Sequence, residues 1–401
     1  MVMKAKRVLF FVDAFPTLSE TFILNQIKGA VDAGHDVHIL ALHEGHFKNL
    51  HPLVKDYNLL AKTTYLYLPT GFLKRATICI KQLKKVFRTL NPIKYGKIVF
   101  RLQPAVASAK CPTGNYDFII AHYGNIGLLA SILCDQHILS GQLITFFHGY
   151  DLTRTIQKRG KSFYRFLFQT NTIICPISQF FATILVQLGA NENHIKVHHM
   201  GVDIHQFPFS PKQSLSNELN VLIVARLTEK KGIKHAIMAM KLLQLDGLKC
   251  QLQIIGDGEE KAALQAITQN LGLREQIIFH GAKSQTFVKE ALNQADVFLL
   301  PSVVAKDGDM EGIPVSLMEA MATGKPVIAT KHSGIPELIS DKVNGFLVTE
   351  KSAEEICTAL KSFYTLPNPL RQNMLSSARN KVEYDFNIHH LNRILFEEMM
   401  E

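Results

Sequence analysis

The chain has 401 residues, 47% of them hydrophobic, no Trp and a net charge of +10, which is material for two or three cored domains and not for a disordered chain. No uncharged apolar run reaches the ~18–20 residues that a spanning helix needs, and the run at 8–12 ends at Asp13, too short for a signal peptide. Six scattered cysteines without a C-x-x-C pair argue against a zinc site or a disulfide framework and fit a reducing cytoplasm.

The first half predicts strands at 8–12, 37–41, 118–121, 143–147, 172–177 and 195–198. After the first of these comes Phe15-Pro16-Thr17-Leu18-Ser19-Glu20. Thr17 with Glu20 reads as a capping box that opens a helix; the alternative is a loop closing over a bound ligand, with Thr17 or Ser19 near it. Residues 57–116 carry 11 Lys/Arg and no acid. Within them Leu73, Ala76, Ile80, Leu83, Phe87 and Leu90 recur at helical spacing beside Lys74, Lys81, Lys84, Lys85 and Arg88. This predicts one amphipathic basic helix suited to an anionic membrane surface, or a helix packed on its domain with a solvated basic face. No RNA-reading motif accompanies the charge, so nucleic acid is not an expected partner. His122 and His148 fall at strand ends, where ligands of such sheets bind.

The second half alternates more clearly, with strands at 221–225, 252–255, 277–279, 297–300, 327–329 and 346–348 and helical patterns between most of them. Strands alternating with helices mean βαβ units and a parallel sheet with both faces covered. The expected organisation is α/β with two doubly wound, Rossmann-like domains facing a cleft: 1–203, 204–380, and a C-terminal helix at 381–401 crossing back to the first domain. The two halves differ in charge. Residues 1–200 hold 23 Lys/Arg against 10 Asp/Glu, and residues 201–401 hold 21 against 24, which suggests different partners.

The chemistry concentrates after the strands of the second half. Asp309-Met-Glu311-Gly312-Ile313-Pro314-Val315-Ser-Leu-Met-Glu319 places Pro314 where a helix begins. The amides around Gly312, Ile313, Pro314 and Val315 then form a diphosphate site, with Glu311 and Glu319 at opposite ends of a bound nucleotide sugar. Arg226 and Lys231 follow the first strand and supply two cations for a diphosphate, while Lys230 is expected to face water. Ile255-Gly256-Asp257-Gly258 is a weak dinucleotide fingerprint and reads as a tight turn near the nucleotide. His280 and Lys283, after the next strand, are candidates to face the base.

The R-x4-K stretch, the glutamates spaced by seven, Gly324-Lys-Pro-Val-Ile-Ala-Thr330 and Ser333-Gly-Ile-Pro-Glu337 resemble the retaining GT-B glycosyltransferases, the glycogen synthase-like and mannosyltransferase-like group. Phe15-Pro-Thr-Leu-Ser-Glu-Thr-Phe22 and His148-Gly-Tyr-Asp151 are similar to bacterial transferases that build exopolysaccharide or colanic-acid-like chains. The resemblance implies that Arg226 and Lys231 hold the donor diphosphate, Glu319 the ribose hydroxyls, Glu311 the transferred sugar, and that His148 lies near the reacting carbon. It implies retention of configuration, with a nucleotide sugar as substrate and no cofactor. Ala225 stands where the family often has Gly. The expected protein is cytoplasmic, peripheral on the inner membrane face, acts on a glycan or lipid-linked acceptor, and needs no metal. Rival readings are a metal-dependent transferase using Asp307-Gly-Asp309, a nucleotide-sugar epimerase, and an inactive glycan-binding protein.

Overall fold

The chain divides into two compact units, Met1–His198 with Asn392–Glu401, and His199–Leu391. The computed structural model describes residues 5–17, 20–45, 50–215 and 217–399. In the first unit six strands, β1 (Arg7–Phe15), β2 (Asp36–Glu44), β3 (Thr63–Tyr65), β4 (Gly114–His122), β5 (Leu139–Phe147) and β6 (Ile173–Pro176), pair in parallel in the order β3-β2-β1-β4-β5-β6. The second unit contains β7 (Leu219–Val224), β8 (Cys250–Ile255), β9 (Ile277–Gly281), β10 (Val297–Leu300), β11 (Val327–Thr330) and β12 (Phe346–Val348), all parallel, in the order β12-β11-β10-β7-β8-β9.

Counted from its own first strand, each sheet runs 3-2-1-4-5-6, the doubly wound order that reverses direction between strands 1 and 4. The crossovers diverge there and leave a crevice beyond the carboxyl ends. That point lies after Phe15 and His122 in the first unit, and after Val224 and Leu300 in the second. In the second sheet Val221, Ile223, Leu252, Ile254 and Leu299 enter one core cluster, while Leu222, Phe298, Leu300 and Ala329 enter another. Both faces are buried, so these strands read as continuous apolar runs without alternation.

Several expectations need correction. Residues 195–198 form no strand: Ile195 makes an isolated bridge to Ile174, and the sixth strand of the first sheet is the short edge strand β3. The unit boundary lies at His198 and His199. Val202 donates to the Phe386 carbonyl and accepts from Ile388, which holds it within the second unit. Residues 381–391 likewise stay in the second unit, and only from Asn392 onward does the chain belong to the first. There the Asn392 amide donates to the Asn25 carbonyl, and the Phe396 ring lies 5.6 Å from His35. The basic segment is not one helix. It breaks at Gln82 into Phe72–Lys81, Leu83–Val86 and a 3-10 turn Phe87–Leu90.

The loops after β7 and β8 are zipped together by backbone. Ala225 N–H donates to Ile255, Leu227 N–H to Asp257, and Glu260 N–H to Leu227. Gly256 sits at φ +141, and a Cβ there would fall closer than 3.0 Å to the Ala225 carbonyl oxygen. Gly256→Ala should therefore destabilise the second unit by at least about 3 kcal/mol, since strain and clash add. Gly247→Ala, at φ +77 in open space, should cost only about 1 kcal/mol. Urea unfolding midpoints of the two variants check this; equal shifts would count against the close approach.

Candidate active site

In the second unit the segment after β7 turns through Glu229–Lys231 and reaches Gly232 at φ +61, where any Cβ would strike the Pro301 carbonyl oxygen after β10. Gly232 thus lets the two switch-point loops approach. The approach brings Lys231 Nζ to 2.9 Å from Glu311 Oε2 and Lys230 Nζ to 3.1 Å from Glu311 Oε1 and 3.2 Å from Asp309 Oδ2. Lys230 does not face water; it is one of two ammonium groups that clamp Glu311. Burial alone would raise the Glu311 carboxyl, but Lys231 and Lys230 outweigh it and hold it at about 2. Asp307 Oδ1 accepts from the Asp309 amide, so both acids of the D-x-D stretch are engaged locally. Among the described residues no three His, Cys, Asp or Glu cluster in a way that could hold a metal.

Behind this clamp, Glu311 N–H donates to His332 Nε2 at 3.1 Å, which leaves Nδ1–H to donate to Glu350 Oε1 at 2.6 Å. Glu350 Oε2 in turn accepts from Val304 N–H. Sequence reasoning missed Lys230, His332 and Glu350. His332 stands immediately before the Ser333-Gly-Ile-Pro-Glu337 stretch, and that adjacency was the available signal.

The helix Val315–Ala322 starts one residue later than expected, with Pro314 as its N-cap and no side chain capping it. Glu319 lies in its second turn. Burial pushes its carboxyl up to about 7 against a weaker pull from Lys289, and no hydrogen bond ties it among the described residues. Arg226 is exposed on the loop whose neighbour Ala225 packs against Gly256, and among the described residues no ion pair joins it to Glu311. His280 Nε2 lies 3.1 Å from Gln253 Oε1, and burial with the nearby Lys283 lowers its pKa. Lys283 Nζ stands 5.1 Å from the Phe287 ring that also packs on His280.

In the first unit His148 follows β5 and begins the loop His148-Gly149-Tyr150-Asp151. The buried Asp151 carboxylate accepts from the amides of Gly124, His148 and Gly149 at 2.9, 3.1 and 2.8 Å, which fixes the loop. Burial raises this acid to about 6 despite those bonds. His148 Nε2 meets His122 Nδ1 at 3.1 Å, and its ring packs on Phe22 and Tyr123. Burial pushes His148 down to about 3 and His122 well below its usual range, so both imidazoles are neutral at physiological pH. Tyr123, at φ +74, donates to Glu20 Oε1 at 2.9 Å, and Thr17 Oγ1 donates to Glu20 Oε2 at 2.7 Å. The capping box is therefore not formed: the helix Thr21–Asp32 begins after Glu20, whose side chain is taken by Thr17 and Tyr123. Ser19 lies outside the described residues.

Residues 206–381 match the family of Glycosyl transferases group 1, and residues 19–206 match Glycosyltransferase Family 4. The chain is 38% identical over 398 residues to an Escherichia coli (strain K12) protein named as the colanic acid biosynthesis glycosyltransferase WcaL, covering 97% of this chain and 98% of that one. It is likewise 38% identical over 402 residues to the amylovoran biosynthesis glycosyltransferase AmsK of Erwinia amylovora, covering 98% of each. Among solved structures, Anabaena Alr3699/HepE in complex with UDP-glucose superposes with a TM-score of 0.72 over 98% of this chain and 99% of that chain, a likeness of fold at 20% identity. The chain belongs to the group 1 glycosyltransferases. Its two parallel-sheet, Rossmann-like units are those of the GT-B fold.

The raised Glu319 carboxyl has a signed consequence. Between its ordinary 4.5 and about 7, the unfolded chain has released a proton that the folded chain keeps, so stability falls as pH rises through that window. Glu319→Gln removes the slope. From pH 4.5 to 7.5 the variant should gain on wild type by up to about 3 kcal/mol of unfolding free energy. A gap that does not change with pH, measured by denaturant unfolding, would refute the shift.

Proposed function

We propose that the protein transfers a hexosyl group from a nucleotide sugar to a lipid-linked glycan acceptor, and that the product is a cell-surface exopolysaccharide. The transfer retains anomeric configuration and uses neither metal nor cofactor. The observation that carries the reading is the cation cluster at the switch point of the second sheet, beside a helix start that no side chain caps. The names of the E. coli and Erwinia relatives support the polysaccharide, and the UDP-glucose complex of the Anabaena protein supports a nucleotide-sugar donor.

In this reading Arg226 and Lys231 neutralise the diphosphate. Glu311 occupies one of the three N–H groups of Lys231 and leaves the others for phosphate oxygens. The amides of Gly312, Ile313 and Val315, with the turn at Pro314, receive the same group. Glu319 accepts from the ribose hydroxyls, Glu311 borders the sugar, and Gly256, His280 and Lys283 line the base. In the first unit His148, backed by His122, and Thr17 with Glu20 are the acceptor-side candidates. The bond from the anomeric carbon to the diphosphate is exchanged for one to the acceptor hydroxyl oxygen, whose proton leaves with the departing nucleoside diphosphate. Negative charge grows on the leaving group, where fixed cations and amides stabilise it most.

The assay is turnover of nucleotide sugar on lipid-linked glycan in excess chelator, with the new linkage read by NMR. Arg226→Ala and Lys231→Ala should each cut turnover about a hundredfold or more, the loss typical of one such donor. Unimpaired turnover in both, an inverted linkage, or activity abolished by chelator would each overturn a stated part.

The same reading places the protein at an anionic membrane, peripherally and on the cytoplasmic face, through residues 57–116. Phe72, Leu73, Ile80, Leu83 and Phe87 are exposed among lysines, Leu73 at 81%, and no helix among the described residues is long and apolar enough to cross a membrane. Leu73→Glu with Ile80→Glu should abolish sedimentation with phosphatidylglycerol vesicles at 0.1 M salt, and wild type should sediment less at 0.5 M. Binding that both changes leave intact would remove this surface from the proposal.

A further inference from the structure

Between β10 and the helix Val315–Ala322 the chain runs through residues 301–314 without helix or strand, yet this stretch carries Asp309 and Glu311. No ladder of backbone bonds fixes such a segment, so its position is set by the packing and the side chains that reach it. Packing covers it incompletely, for a cavity of about 260 Å³ lies against Val303, Val304, Ala305 and Lys306. The groups that reach it come from three other loops. After β7, the Lys230 carbonyl accepts from Val303 N–H at 2.8 Å, and Glu229 Oε2 accepts from Lys306 N–H at 3.1 Å. After β12, Glu350 Oε2 accepts from Val304 N–H at 3.0 Å, and Glu350 Oε1 accepts from His332 Nδ1–H. The fully buried His332, after β11, accepts in turn from Glu311 N–H. One carboxylate therefore holds both ends of the stretch, the start directly and the end through an imidazole.

The donors decide how this staple works. Glu311 N–H can only donate, so His332 Nε2 presents its lone pair and the ring proton sits on Nδ1, facing Glu350. Both Glu350 oxygens must then accept, which a carboxylate does and a carboxamide cannot. With Gln at 350, one of the two N–H donors meets an NH2 group. If His332 answers by moving its proton to Nε2, the conflict passes to the Glu311 amide. Every arrangement loses a hydrogen bond at one end of the stretch or the other, and Glu311 is freed to move. We propose that Glu350 and His332 are positioning residues of the donor site: through the ends of this loop they set where Glu311 stands beside the transferred sugar. The proposal rests on the reading that Glu311 borders that sugar, and it adds the two residues that hold the contact in place.

The test is calorimetric titration of the full chain with UDP-glucose and GDP-mannose, and with UDP and GDP as the matching diphosphates. Glu350→Gln should weaken the nucleotide sugar that wild type binds best by about fivefold or more, the effect of one hydrogen bond, and leave its nucleoside diphosphate within about twofold. His332→Ala should do the same. His332→Gln, which keeps an acceptor for the Glu311 amide, should recover part of the loss. Residues that merely stabilised the unit would lower both affinities together. Hydrogen exchange read by mass spectrometry gives a second measure. Amides over 303–312 should exchange about tenfold faster or more in Glu350→Gln, with the helix Ile233–Leu245 unchanged. Should Glu350→Gln fail to fold in a thermal scan, His332→Gln is compared with wild type by the same two readings. Equal losses of sugar and diphosphate affinity, or exchange over 303–312 indifferent to the change, overturns the proposal. Wild type that binds none of the four nucleotides would count against the donor reading instead, and the exchange result would still decide the staple.

Discussion

The second unit is organised around one carboxylate. Glu311 joins the loop after β10 to the loop after β7, each of its oxygens meeting a different ammonium group, at the point where the sheet order reverses. A buried acid is costly unless paired, and removing one partner from such a cluster leaves an uncompensated charge behind. Here the pairing is doubled, and Asp309 completes it on the Lys230 side. Two cations, Lys230 and Lys231, face two acids, Glu311 and Asp309, so the cluster is close to neutral. The helix Val315–Ala322 begins a few residues beyond Glu311 and directs the positive end of its dipole to the same region.

The first unit solves the equivalent position without a cation. His148 and His122 are both held neutral by burial, Asp151 spends its carboxylate on three amides, and Tyr123 accepts a backbone conformation that costs about 1–3 kcal/mol. The result is a rigid set of rings whose orientation is fixed by hydrogen bonds to backbone and to Glu20. Strain at Tyr123 persists because the packing of its ring on His148 and its bond to Glu20 over-determine it.

Much of this was legible in the residues. The alternation of apolar runs with helical patterns gave the two parallel sheets, and eleven of the twelve strands differ from their expected spans only at the ends, because strands buried on both faces carry a strong signal. The exception is β3, three residues at a sheet edge, too short for any pattern. Lys230 was expected to face water, whereas Glu229–Lys231 is a 3-10 turn from which two consecutive lysines reach one carboxylate. Thr17 and Glu20 have the spacing of a capping box, but Tyr123, 103 residues away, competes for the Glu20 carboxylate. His332 and Glu350 act through a backbone amide, and sequence spacing does not report such a contact.

The basic segment shows where periodicity stops being informative. Helical spacing of Leu73, Ile80, Leu83 and Phe87 measures amphipathicity, and an amphipathic face signals burial only when something of the chain covers it. These side chains are exposed. What distinguishes the segment from an ordinary packed helix is composition: 11 Lys/Arg and no acid over 57–116, so its cations have few local partners to neutralise them. The second half holds nearly as many cations, but acids match them, and the Glu311 cluster is that balance at one site. A surplus left unpaired over one half of a chain raises the repulsion that the folded unit must carry.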